Sequence, residues 1–177
     1  RHENLIDLEF VSCAEESIHV TTKNGHCLYD VKNGKILKEF KPPRFVTCFT
    51  ESDVLYGFKM NNSSYSAGDN LVAFDTVKKR TLWTSKKSFN ENARTRIEVT
   101  KKVIFLSDIR KIYALDRKTG SLLWEQPLIS AYSLTASDDF LITSGHDFFY
   151  GLDKDTGKPL WRFLSVGSPS GVNLDGG

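Results

Sequence analysis

Residues 113–126 read YALDRKTGSLLWEQ and residues 150–163 read YGLDKDTGKPLWRF. Laid over one another, they share Tyr, Leu, Asp, Thr-Gly, Leu and Trp in the same order. Self-similarity at a fixed period decides a fold before any single element does. The step from Asp116 to Trp124 recurs from Asp153 to Trp161, and again upstream in LVAFDTVKKRTLW from Asp75 to Trp83. A weaker copy, CLYDVKNGKILK, runs from Asp30 to Lys38, with lysine at the tryptophan position. The four aspartates are separated by 45, 41 and 37 residues.

The repeat reaches further back in each unit. EFVSCAEES (9–17) and RFVTCFTES (44–52) match at Phe, Val, Cys, Glu and Ser. On that alignment Cys13 and Cys48 are equivalent core-facing positions, with Val99 and Leu134 as counterparts. In the third unit, short apolar and β-branched runs at Ile97–Thr100, Val103–Leu106, Ile112–Leu115 and Leu122–Gln126 are bounded by Lys-Lys, Ser-Asp and Lys-Thr-Gly. Such runs between turn residues are strand and hairpin signals. No ten-residue stretch carries a helical period, so the chain is expected to be all-β. The units span 9–43, 44–88, 94–129 and 130–166 of one domain over 1–177.

Each residue of the repeated string has a structural task. Gly120 and Gly157 supply the φ > 0 position of a tight turn. Asp116 and Asp153 stand where a carboxylate accepts turn N–H groups, with Thr119 and Thr156 in the same turns. Trp83, Trp124 and Trp161 fall in the fourth strand, where an indole can bridge to the next sheet and bury a large area. Units of about 40 residues and four strands, arranged radially, make a β-propeller.

The string Ala114-Leu-Asp116-Arg-Lys-Thr119-Gly120-Ser-Leu-Leu-Trp124 resembles the tryptophan-docking repeat A-x-D-x-x-T-G-x-x-x-W of pyrroloquinoline-quinone-type propellers. The fourth unit carries it with Gly151 for Ala, and the second keeps Ala73, Asp75 and Trp83 with Lys78-Lys79 for Thr-Gly. The resemblance implies rings that close with seven or eight blades. Four blades, with residues 167–177 (inside SVGSPSGVNLDGG) as the start of another, then imply half a propeller whose raw edges need a partner. A closed four-blade ring is the alternative.

The resemblance also implies that a quinone enzyme would need a calcium site, a catalytic aspartate and a vicinal cysteine pair. This chain has no adjacent cysteines, so neither a cofactor nor a metal is assigned. Cys13, Cys27 and Cys48 match no zinc spacing, and both one disulfide with a free thiol and three reduced thiols stay open. His26 and His146 fall in matching regions of the first and fourth units without a supporting cluster. A net charge of +2 gives no reason to expect nucleic acid, and no apolar run is long enough to span a bilayer. No targeting signal is visible, and the compartment stays open.

One segment breaks the repeat: the polar insertion of the second unit, containing Asn61, Asn62, Ser63 and Tyr65, is a candidate interaction loop. The expected role is a non-catalytic scaffold or sensor module that offers loops or sheet edges to a protein partner or a second copy. The resembling families include outer-membrane assembly scaffolds and luminal stress-sensing kinase domains. The alternative is a fragment of a quinone- or small-ligand-binding oxidoreductase.

Overall fold

The computed structural model describes residues 8–14, 17–22, 25–40, 45–51, 53–59, 69–89, 95–108, 110–127, 133–137, 139–145 and 148–164, with backbone alone over the first strand of each of the first two sheets. Among the described residues sixteen strands form four antiparallel four-stranded sheets, each in plain chain order. The first sheet holds β1 (Leu8–Ala14), β2 (Ser17–Thr22), β3 (Gly25–Asp30) and β4 (Ile36–Phe40). The second holds β5 (Phe45–Glu51), β6 (Val54–Lys59), β7 (Asp69–Asp75) and β8 (Arg80–Phe89). The third holds β9 (Arg96–Val99), β10 (Val103–Ser107), β11 (Lys111–Asp116) and β12 (Leu122–Pro127). The fourth holds β13 (Ser133–Ala136), β14 (Phe140–Ser144), β15 (Phe148–Asp153) and β16 (Pro159–Leu164). The strands expected in the third unit are all present, to within a residue at their ends.

The sheets are arranged as blades. Contacts join β1 to β5, β5 to β9 and β9 to β13, so the first strands stand side by side along an inner row. No comparable contact returns from β13 to β1 among the described residues, which makes the arrangement an arc. It is an all-β partial propeller of four blades.

Alternation within the strands explains how a blade is buried on both faces. In the third blade Ile104, Leu106, Tyr113 and Leu115 point toward the second, where they meet Tyr56, Phe58, Leu71, Ala73 and Phe89. The intervening Phe105, Ile112 and Ala114 point the other way and meet Leu134, Leu141 and Leu152 of the fourth blade. A continuous apolar run is what a strand covered on both faces requires. Phe89 stands edge-on to Tyr113 at 5.0 Å between centroids, sealing the joint of blades two and three. On its opposite face the second blade buries Leu55, Val72 and Phe74.

One expected equivalence is corrected. Counted back from the residue that closes each hairpin (Ala14, Glu51, Thr100 and Ser137), Cys13 lies one residue in, like Val99, whereas Cys48 lies three residues in, like Leu134. The two cysteines are therefore two hairpin positions apart. The hairpin after β1 closes at Ala14 and Ser17 and the one after β5 at Glu51 and Val54, so matching letters do not occupy matching pairs. Cys27 is a half-buried free thiol, pushed above its ordinary value by burial and then by the charge of Glu39.

Candidate interaction site

The repeated string builds a turn and a hook. At the turn, Asp116 Oδ1 accepts bonds from the backbone N–H of Lys118 (3.0 Å) and Thr119 (2.8 Å) and from the Thr119 hydroxyl (2.8 Å). Asp153 repeats this with Asp155 (3.1 Å), Thr156 N–H (2.8 Å) and the Thr156 hydroxyl (2.8 Å). The chain closes through Gly120 N–H to Asp116 O and Gly157 N–H to Asp153 O, both 2.8 Å, with φ of 70° and 72° at the glycines. The threonine hydroxyl, ahead of the backbone bonds, holds each carboxyl below the ordinary aspartate value. Asp75 has no such threonine; the Lys78 N–H at 2.7 Å is the main cause of its lowering.

The hook is a row across three strands. Tyr56 pairs with Ala73 and Ala73 with Trp83; one blade on, Phe105 pairs with Ala114 and Ala114 with Trp124. A small residue in the middle strand lets the indole lean on its own blade's aromatic ring, at 6.1 Å for Tyr56–Trp83 and 5.9 Å for Phe105–Trp124. The other face of each indole then meets the turn of the following blade. Trp83 Nε1 donates to Arg117 O and Trp124 Nε1 to Lys154 O, both at 3.0 Å. A Cβ at Gly120 would stand 2.7 Å from Cζ3 of Trp83, and one at Gly157 would stand 2.6 Å from Cε3 of Trp124. Glycine is required there twice over, by the positive φ and by the close approach of the ring.

The joint between blades one and two is built differently. Leu28 pairs with Lys38, confirming that lysine occupies the tryptophan register. Its Nζ reaches Thr76 Oγ1 at 3.3 Å and Asp53 Oδ1 at 3.6 Å. With no indole arriving, the second turn carries Lys79 at the glycine position, at φ 53°. The missing tryptophan and the missing glycine are two sides of one joint. The sequence held both signals, in different units, and comparing each fourth strand with the next unit's turn would have joined them. Arg117 was not expected: besides its carbonyl, its side chain bonds Tyr56 Oη (2.9 Å) and Thr100 O (3.0 Å), clamping blade three to blade two.

The fourth blade ends the series. Trp161 stands opposite Gly151, but the described residues include no following turn, and it is 37% exposed. Leu160, Phe163 and Leu164 are exposed at 57%, 64% and 70%, with Trp161 and Phe163 on one face of β16 and Leu160 and Leu164 on the other. Asn61, Asn62, Ser63 and Tyr65 lie outside the described residues, as do His146 and the segment 167–177; His26 is buried in β3. Among the described residues no three His, Cys, Asp or Glu side chains converge as a metal site would need. No helix among the described residues is long and apolar enough to cross a membrane.

The family model described as outer membrane protein assembly factor BamB matches residues 9–140 and 67–176. No curated protein matches the chain in sequence. Among solved structures, BamB from Moraxella catarrhalis aligns with a TM-score of 0.64 at 15% identity, over 98% of this chain and 55% of its own. Hsv2p from Kluyveromyces lactis aligns at 0.60 and 10% identity, over 93% of this chain and 66% of its own. The computationally designed Ika4 protein aligns at 0.58 and 10% identity, over 93% of this chain and 94% of its own. The chain thus spans about half the length of the BamB structure it matches.

Proposed function

This chain belongs to the BamB-type family of pyrroloquinoline-quinone-like propellers, and from that premise we propose that it serves as a non-catalytic protein-interaction scaffold. The observation that carries the reading is the exposed outer strand β16, where Leu160, Trp161, Phe163 and Leu164 are uncovered together. Contiguous apolar surface on a sheet edge is a pairing and docking surface. The partner is a protein that covers it. A sensor version of this role, in which assembly reports a signal, makes the same demand on the surface.

Two measurements test the reading. A protein captured by the chain should be lost with Leu160→Lys/Phe163→Lys and kept with Leu123→Lys, an exposed change on an internal outer strand. Retention of the partner by the first variant would remove the strand from the interaction. Titration with pyrroloquinoline quinone and calcium should give no saturable absorbance change. A tight, calcium-dependent chromophore would replace the scaffold by the oxidoreductase alternative.

A further inference from the structure

The clamp made by Arg117 has no copy in the next joint. Arg117 follows the turn aspartate of blade three, and Lys154 holds that place in blade four, directly after Asp153. Between blades two and three the guanidinium lies 5.9 Å from the centroid of the Tyr56 ring and bonds the Tyr56 hydroxyl and the Thr100 carbonyl.

The surroundings differ one joint on. Phe105 stands in the row position of Tyr56, opposite Ala114, and has no hydroxyl. Ser137 stands in the place of Thr100, each closing its hairpin through an N–H to the carbonyl three residues on, at 2.9 Å. Lys154 does not reach across to the third blade; its ammonium turns to its neighbour Asp155, at 2.9 Å.

The space that Arg117 fills in one joint is a cavity of about 320 Å³ in the other, lined in part by Phe105 and Ser137, the counterparts of Tyr56 and Thr100. Lys101 and Lys102 line it from blade three, Lys154 and Asp155 from blade four. Lys101 and Lys102 are exposed, and neither ammonium has a partner among the described residues. Blade two carries Asp53 where blade three carries Lys102: the residue after the turn aspartate, Thr76 or Arg117, bonds the carbonyl of each. Cations therefore stand on both walls, and among the described lining residues Asp155 is the one carboxylate. It joins its own sequence neighbour in the open, where ion pairs are weakly held. The charges of Asp139 and Asp153 also reach Lys154, which leaves Lys101 and Lys102 as the uncompensated pair.

We propose that this cavity is an anion site, taking the phosphate group of a small monoester between blades three and four, with Lys101 and Lys102 on one side and Lys154 on the other. A dianion supplies the charge that the two walls lack, and its oxygens can meet ammonium groups from both sides at once. Lysine binds phosphate in this way, as a point charge. A carboxylate brings a single charge, which Asp155 already offers Lys154. At about 320 Å³ the cavity is roomier than a bare ion needs and lies at the low end of small-molecule sites. The half-buried Val103 and the lysine stems give the rest of the molecule an apolar wall. A ligand held by two blades also stabilises the joint that lacks the arginine clamp. The site is separate from β16 and from any protein docked there.

The test is a nuclear magnetic resonance titration of the 177-residue chain with phenyl phosphate and, separately, inorganic phosphate, at constant ionic strength. The amides of Lys101, Lys102 and Asp155 should shift saturably with phenyl phosphate, and at higher concentration with inorganic phosphate. Lys102→Ala, a change at an exposed side chain, should weaken phenyl phosphate by roughly tenfold. Phe105→Tyr with Lys154→Arg installs the hydroxyl and guanidinium of the neighbouring joint. That pair should raise the urea midpoint of unfolding and abolish the titration, because the clamp then fills the cavity. Should the pair fail to fold, the Lys102→Ala arm decides. A wild type without saturable shifts, unchanged binding by Lys102→Ala, or a folded clamp variant that still binds would overturn the proposal. Equal affinity for inorganic phosphate would overturn the monoester.

Discussion

Gly120 carries two burdens that Gly34 carries singly, and the difference can be measured. Both have φ near 70°, at 70° and 67°, but only Gly120 lies under an indole. Alanine at Gly34 should cost the backbone strain alone, about 1 kcal/mol. Alanine at Gly120 adds a Cβ 2.7 Å from Cζ3 of Trp83, which the ring cannot accommodate without leaving Tyr56 and the Arg117 carbonyl. Overpacking of that kind costs about 1–3 kcal/mol more, so the total should be about 2–4 kcal/mol. Urea unfolding followed by far-ultraviolet circular dichroism reads both. Adding Trp83→Ala supplies the decisive arm. With the indole gone, Gly120→Ala should cost no more than Gly34→Ala, leaving a coupling of about 1–3 kcal/mol. Equal costs at the two glycines, or an undiminished cost at Gly120 without Trp83, would refute the docking account.

The polar joint of blades one and two should be convertible: Lys38→Trp with Lys79→Gly should be more stable than the two single changes combined, by about 0.5–3 kcal/mol in a double-mutant cycle. The turn aspartates set an acid limit. Because Asp75, Asp116 and Asp153 titrate below the ordinary aspartate value in the folded chain, the stability they supply is full at neutral pH and falls away as pH drops through their folded values. Glu98, raised chiefly by burial, works in the opposite sense; Asp116→Asn should therefore flatten the acid limb of a stability-against-pH curve without removing it. Glu125 bridges Lys111 at 2.6 Å and Lys87 at 2.8 Å across blades three and two. The bridge is exposed, so Glu125→Gln should cost about 0.5 kcal/mol at low salt and less at high salt in the same unfolding assay.

The first copy of the repeat, with Lys38 for tryptophan, reads on its own as erosion. So does the second, with Lys78-Lys79 for Thr-Gly. Placed in the structure they are one substitution made on both sides of a contact, since a glycine seat is needed only where an indole arrives. The alignment of Cys13 with Cys48 went astray for a related reason. Pairing register is set by bulges and by the partner strand, and letters along one strand do not record it.

What the sequence determined by itself is everything local to a blade: four short strands, the aspartate at the strand end, the glycine at positive φ, the tryptophan in the fourth strand. Those follow from turn stereochemistry and from runs a few residues long, which a repeat prints several times over. Only the tertiary structure decided which turn receives each indole and that Arg117 clamps two blades. These are contacts between neighbouring blades, made by residues 30 or more positions apart. Their geometry exists only once the sheets stand side by side.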